Sequence, residues 1–235
     1  MRSGRKLSAL GVAAGGLAIF GPSLAYLGVV RPIIGFALFA LGGILAVILA
    51  VGAIVRLVRG RGLTLGAVTS LLVATVFLGL IVSGSDHPRI NDFTTDVSDP
   101  PVFQFAATAP ENRGRDLSYP PAFAAVQQQC CGDLQSVQVP AAPAEAFARA
   151  RRLAEAQPTW RITHSDAGTG TLEAVATSKL FHFQDDIVIR IRPKDAGASI
   201  VDMRSKSRDG QGDFGVNAGR IRQFMVAIRT ADAAR

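Results

Sequence analysis

Between Leu7 and Val82 the chain carries only four charged residues, Arg31, Arg56, Arg59 and Arg61, and they divide it into three apolar stretches, 7–30, 33–55 and 63–82. A hydrocarbon layer about 30 Å thick takes roughly 20 helical residues to cross, and without water each backbone N–H and C=O must find its partner inside the segment. The pattern predicts three transmembrane helices in residues 1–84, with the lipid bilayer as their partner. A water-soluble core seldom supplies three uncharged runs of this length in succession. None of the spans contains Asp, Glu, Lys or His, so a proton or ion path through them lacks its usual groups.

A formal charge of +7 would suit a nucleic-acid binder, but its distribution argues otherwise. Residues 1–84 hold seven Lys or Arg and no acid, whereas residues 85–235 hold eighteen basic and eighteen acidic residues. The second part is neutral, and no nucleic-acid partner is expected of it. Cytoplasmic loops are enriched in Lys and Arg. Arg2, Arg5 and Lys6 precede the first span, and Arg56, Arg59 and Arg61 separate the second from the third; Arg31 stands alone in the other loop. The predicted course is therefore in, out, in, out: a multi-pass protein of the bacterial inner membrane, with a cytoplasmic N-terminus and a periplasmic C-terminal domain. The basic start, the apolar run to Phe20 and Ser23-Leu24-Ala25 also read as a cleavable signal peptide; cleavage there leaves the later topology unchanged. Gly11 and Gly15, Gly62 and Gly66, and Gly42-Gly43 allow close helix approach, within one chain or between copies in a homo-oligomer.

Residues 85–140 are polar and rich in proline, with Asp99-Pro100-Pro101 and Tyr119-Pro120-Pro121, and read as an extended arm against the domain with a short helix over 122–129. Residues 141–235 read as an α+β domain. Pro143 starts a helix over 144–157 whose inner face is Phe147, Ala150, Leu153 and Ala154, and Pro158 stops it. Alternation over 160–165 and 171–177 around Asp166-Ala-Gly-Thr-Gly170 predicts a hairpin. A second pair joins 187–192 to 199–205. There Ile187, Ile189, Ile191, Val201 and Met203 share one face, and Arg190, Arg192, Asp202 and Arg204 share the other. A last helix over 216–230 turns Ile221, Phe224, Met225 and Ile228 inward. The fold class is α+β: three N-terminal transmembrane helices followed by an antiparallel β-sheet domain packed with two helices.

The run Asp185-Asp186-Ile187-Val188-Ile189-Arg190, then Val201-Asp202-Met203-Arg204-Ser205, Ser207-Arg208, Gly210, Asp213, Gly215, Asn217-Ala218 and Arg220-Ile221, resembles the family called domain of unknown function 1499 (DUF1499). The likeness is strong over 185–222 and looser from 91 to 235, where it includes Asp99-Pro100-Pro101 and Tyr119-Pro120. It implies an association with a bacterial or plastid envelope, or with thylakoids, and brings no activity, substrate or catalytic residue with it. Cys130-Cys131 stand where related chains often have other residues.

Arg190, Asp202, Arg204, Ser205, Ser207, Arg208, Asp213 and Asn217 are expected to gather on one sheet face and on the loop entering the last helix. Two readings are open. In one they form an anion cradle, with arginine forks and a helix N-terminus as donors. In the other Arg190 pairs with Asp202 across the strands, Asp213 caps the helix and the rest is solvated. Gly210-Gln-Gly212-Asp-Phe-Gly215 matches G-x-G-x-x-G, but no second parallel strand and no downstream acid follow it, so it reads as a tight loop. Cys130 and Cys131 are too close to bridge easily, and neither they nor His87, His164 and His182 have metal-ligand spacing; no cofactor is called for. The functional expectation is a non-catalytic envelope protein whose domain binds a protein partner or a small anionic ligand. The alternative is an enzyme acting on an anionic substrate at the Arg/Asp face.

Overall fold

A computed structural model describes residues 2–84, 86–195 and 197–230. The chain forms two units, Met1–Asp86 with Lys179–His182, and His87–Ser178 with Phe183–Arg235.

The first unit is built from helices α1 (Arg2–Tyr26), α2 (Pro32–Val58) and α3 (Leu65–Gly84). All three are long and apolar enough to cross a membrane. The first ends four residues short of the expected limit, for a local reason. Gly28 takes φ +69°, Val29 N–H donates to the Leu24 carbonyl, and Gly28 N–H to that of Ala25, a left-handed cap that closes the last turn. Gly60 closes α2 in the same way, three residues beyond the expected Val55. Small residues then set how near the helices lie. A Cβ at Gly11 would stand 2.2 Å from the Gly66 carbonyl oxygen, and one at Gly42 2.7 Å from that of Ala14. Gly15 lies against Thr69 and Gly43 against the Phe77 ring, whereas nothing approaches Gly62. The expected close packing is thus made within the chain at every one of these positions except Gly62. Phe181 of the 179–182 segment sets its ring edge-on to Phe36 at 5.5 Å and Phe39 at 5.8 Å.

The second unit is an antiparallel sheet. Its strands are β1 (Asp92–Thr94), β2 (Val137–Val139), β3 (Trp160–Asp166), β4 (Thr171–Thr177), β5 (Gln184–Asp195) and β6 (Ala198–Ser207), in the order β1-β6-β5-β4-β3, with β2 also on β6. Three helices accompany them: α5 (Pro121–Cys131), α6 (Pro143–Glu155) and α7 (Val216–Thr230), numbered after a single turn, α4 (Phe105–Thr108). The β5–β6 register sets Ile189 opposite Met203 and Arg190 opposite Asp202, as the alternation predicts. One face therefore carries Ile187, Ile189, Ile191, Val201 and Met203, and α6 and α7 cover it with Phe147, Ala150, Ile221, Phe224, Met225 and Ile228. Strand β5 runs past Pro193, because that part no longer pairs with β4 and the missing N–H costs no ladder bond.

The stretch from 85 to 140 does more than lie alongside. It supplies both short strands that flank β6, and α5 exceeds the expected 122–129 by one residue at its start and two at its end. Phe103 and Ala106 from this stretch close over Val188, with Leu117 beside them, in a second small core on the opposite sheet face. The face expected to be charged is charged, and this stretch covers it.

Candidate functional site

Strand alternation divides the eight polar residues read from the sequence. Side chains at 202, 204 and 206 point to the face covered by the 92–121 stretch, and those at 205 and 207 point to the α7 side. They do not form one cradle; the period of two that places Arg204 and Asp202 together forces Ser205 and Ser207 away from them.

On the covered face stand three ion-pair clusters. Asp92, wholly buried at the start of β1, accepts Arg204 Nε at 2.9 Å and Nη2 at 2.7 Å, and Lys206 Nζ at 2.9 Å. Arg204 also donates to the carbonyls of Pro101 and Leu117, and its guanidinium lies 4.8 Å from the Phe103 ring centre and 5.6 Å from that of Tyr119. Asp202 accepts Arg190 Nε at 3.0 Å, Arg192 Nε at 2.9 Å and the Ser136 hydroxyl, while Asp99 takes Arg190 Nη1 at 3.0 Å. Asp186 receives Arg208 Nη2 at 2.7 Å and Arg115 Nη1 at 2.9 Å. Glu173, also buried, is held differently: it accepts the backbone N–H groups of Gln104, Phe105 and Ala106 at 2.6 to 2.9 Å. Every guanidinium named from the sequence thus has an internal carboxylate, which a phosphate or carboxylate ligand would have to displace.

On the α7 side, Ser205 donates to Asn217 Oδ1 at 2.6 Å, and Asn217 Nδ2 to the Ser207 hydroxyl at 2.9 Å. Arg220 joins Ser205 to Asp185, the latter at 2.7 Å. Asp213 accepts Asn217 N–H at 2.6 Å and Gly215 N–H at 3.0 Å, which satisfies the first turn of α7; burial raises its carboxyl above the ordinary value. These contacts tie sheet to helix.

Open space lies beside Arg204. A groove of 590 Å³ is walled by Val97, Pro100, Val102, Leu117, Tyr119 and Ala124, with Phe103 and Arg204 at its floor. Both proline-rich turns noticed in the sequence form its rim, and the Arg204 donations to Pro101 and Leu117 hold the two sides in place. Tyr119 donates to Gln127 Oε1 at 3.2 Å, and Gln127 in turn clamps Thr94 through both backbone groups. Burial, with Asp92 nearby, moves the phenol upward, so it stays a neutral donor. A second hollow of 390 Å³ lies between Trp160, Gln157 and the Gly219–Gln223 face of α7.

Sequence reading missed Asp92, Asp186 and Arg115, each remote in sequence from its partner. The signal available was the equality of charge in residues 85–235, which internal pairing explains. Cys130 and Cys131 are free thiols, and desolvation, with a hydrogen bond donated by the Cys130 thiol to Cys131, pushes Cys130 up to about 12. Among the described residues no group of His, Cys, Asp and Glu is placed to hold a metal.

Fold and site together define an α+β domain carried behind three apolar helices. The model of the family described as protein of unknown function (DUF1499) matches residues 92–228, and the chain belongs to that family. The match opens on Asp92, so the stretch that covers the charged face is part of the family's domain. No curated protein matches the chain.

Proposed function

We propose that this chain is a multi-pass envelope protein of the inner membrane whose non-catalytic domain, on the far side from the cytoplasm, binds an apolar ligand in the groove beside Arg204. One observation carries the reading. The groove is the concave surface lined mainly by apolar and aromatic side chains, its volume lies within the roughly 300–1,000 Å³ of small-molecule sites, and its one charged group is already neutralised by Asp92. A charged ligand gains little there, whereas an acyl chain buries its surface against Val97, Val102, Leu117 and Tyr119. The bilayer that holds the anchor is the nearest source of such chains. The arginine bias of residues 2–6 and 56–61 supports the outward placement.

Of the eight residues read from the sequence, Arg204 then serves the site as its floor, and Arg190, Asp202, Arg208, Ser205, Ser207, Asp213 and Asn217 serve the scaffold. The test uses the full chain in detergent and a dansyl-labelled long-chain fatty acid. Saturable binding by the wild type, weakened about tenfold or more by Val102→Asp and by Ala124→Trp, is expected. Equal binding by wild type and both variants, with their thermal unfolding unchanged, overturns the reading. Displacement of the probe by inorganic phosphate would instead favour the anion cradle.

A further inference from the structure

The loop Gly210–Val216 presents two apolar side chains to the outside, Phe214 at 59% exposure and Val216 at 51%. Phe214 does so from a left-handed backbone, φ +54°, which a bulky residue rarely adopts. Folding of the domain gains little from this arrangement, since more than half of the side chain stays exposed. The loop is nevertheless fixed in place. Asn91 Nδ2 donates to the Gly210 carbonyl at 2.6 Å, Asn217 Nδ2 donates to the Asn91 carbonyl at 3.3 Å, and Gly215 lies so near the His87 ring that a Cβ there would stand 2.6 Å from Nδ1. All of these fixings run to residues 87–91.

Those residues begin three positions after the third apolar helix, which ends at Gly84. Three residues of chain reach about 11 Å at full extension, so His87 stays within that distance of the helix end. A headgroup layer is roughly 5–8 Å deep on each side of the hydrocarbon. Covalent connection thus limits how far His87, and the Gly215 packed on its ring, can stand from the end of that helix. An aromatic ring and a branched aliphatic side chain, both exposed on a pinned loop beside exposed Arg89, have the character of an interfacial contact.

We infer that Phe214 and Val216 insert into the lipid headgroup layer of the bilayer that the third helix crosses, and so hold the domain against its surface. This goes beyond the groove and depends only on that helix spanning. The test places the full chain in nanodiscs of ordinary or acyl-brominated phosphatidylcholine and carries Phe214→Trp or Val216→Trp, with the wild-type Trp160 emission subtracted. Loss of about half or more of the introduced emission in the brominated lipid is expected of both variants. Equal emission in the two lipids, in variants whose unfolding matches the wild type, overturns the inference. It would do so whether or not the groove takes up its fatty acid.

Discussion

Asp92→Asn isolates the charge that organises the covered face. The substitution keeps the volume of the side chain but leaves Arg204, 2% exposed, and Lys206 directed at a neutral amide. Removing one partner of a buried ion pair costs about 3–5 kcal/mol, because the remaining charge stays desolvated. Two cations remain here, so the upper part of that range applies. Trp160, the single tryptophan, stacks on Phe224 at 5.8 Å and reports unfolding of this unit alone. With a slope of about 2 kcal/mol per molar urea, its midpoint should fall by roughly 2 M. Adding Lys206→Met to Asp92→Asn should recover on the order of 1–2 kcal/mol, as the second cation is removed. A midpoint within about 0.5 M of the wild type, or a double variant less stable than Asp92→Asn, would refute the argument.

Gly66→Val should abolish folding of the helical unit into detergent, since a Cβ at 66 would lie 2.0 Å from the Ser8 carbonyl oxygen, while Gly79→Val, with nothing within 4 Å, should be silent; size-exclusion profiles of the two variants decide it. Cys130 should react slowly with a membrane-impermeant maleimide near neutral pH and faster with each step toward pH 12, because its thiol is held protonated by desolvation and by Cys131. The rate in spheroplasts should match the rate after lysis; labelling only after lysis refutes the outward placement, and a rate flat in pH refutes the raised thiol.

The elements legible in the sequence are those whose signal is local. Apolar length identifies α1 to α3, alternation identifies β3 to β6, and a stripe of Phe147, Ala150 and Ala154 identifies α6. The covered face was not legible, because its determinants are 71 to 112 residues apart: Asp92 and Arg204, Arg190 and Asp99, Arg115 and Asp186. Alternation shows that Arg204 leaves the apolar core but cannot show what it meets on the other side. A three-residue strand such as β1 carries no periodicity of its own, and its partner β6 supplies the order that its sequence lacks. The same separation explains why arginines that suggest an anion site in sequence become a scaffold in space. A cationic side chain buried during folding needs its counter-charge inside the protein, and a chain with equal numbers of both signs can provide it. What the Asp92 pairing leaves for a ligand is the groove it shapes, where both proline turns are held apart by one guanidinium.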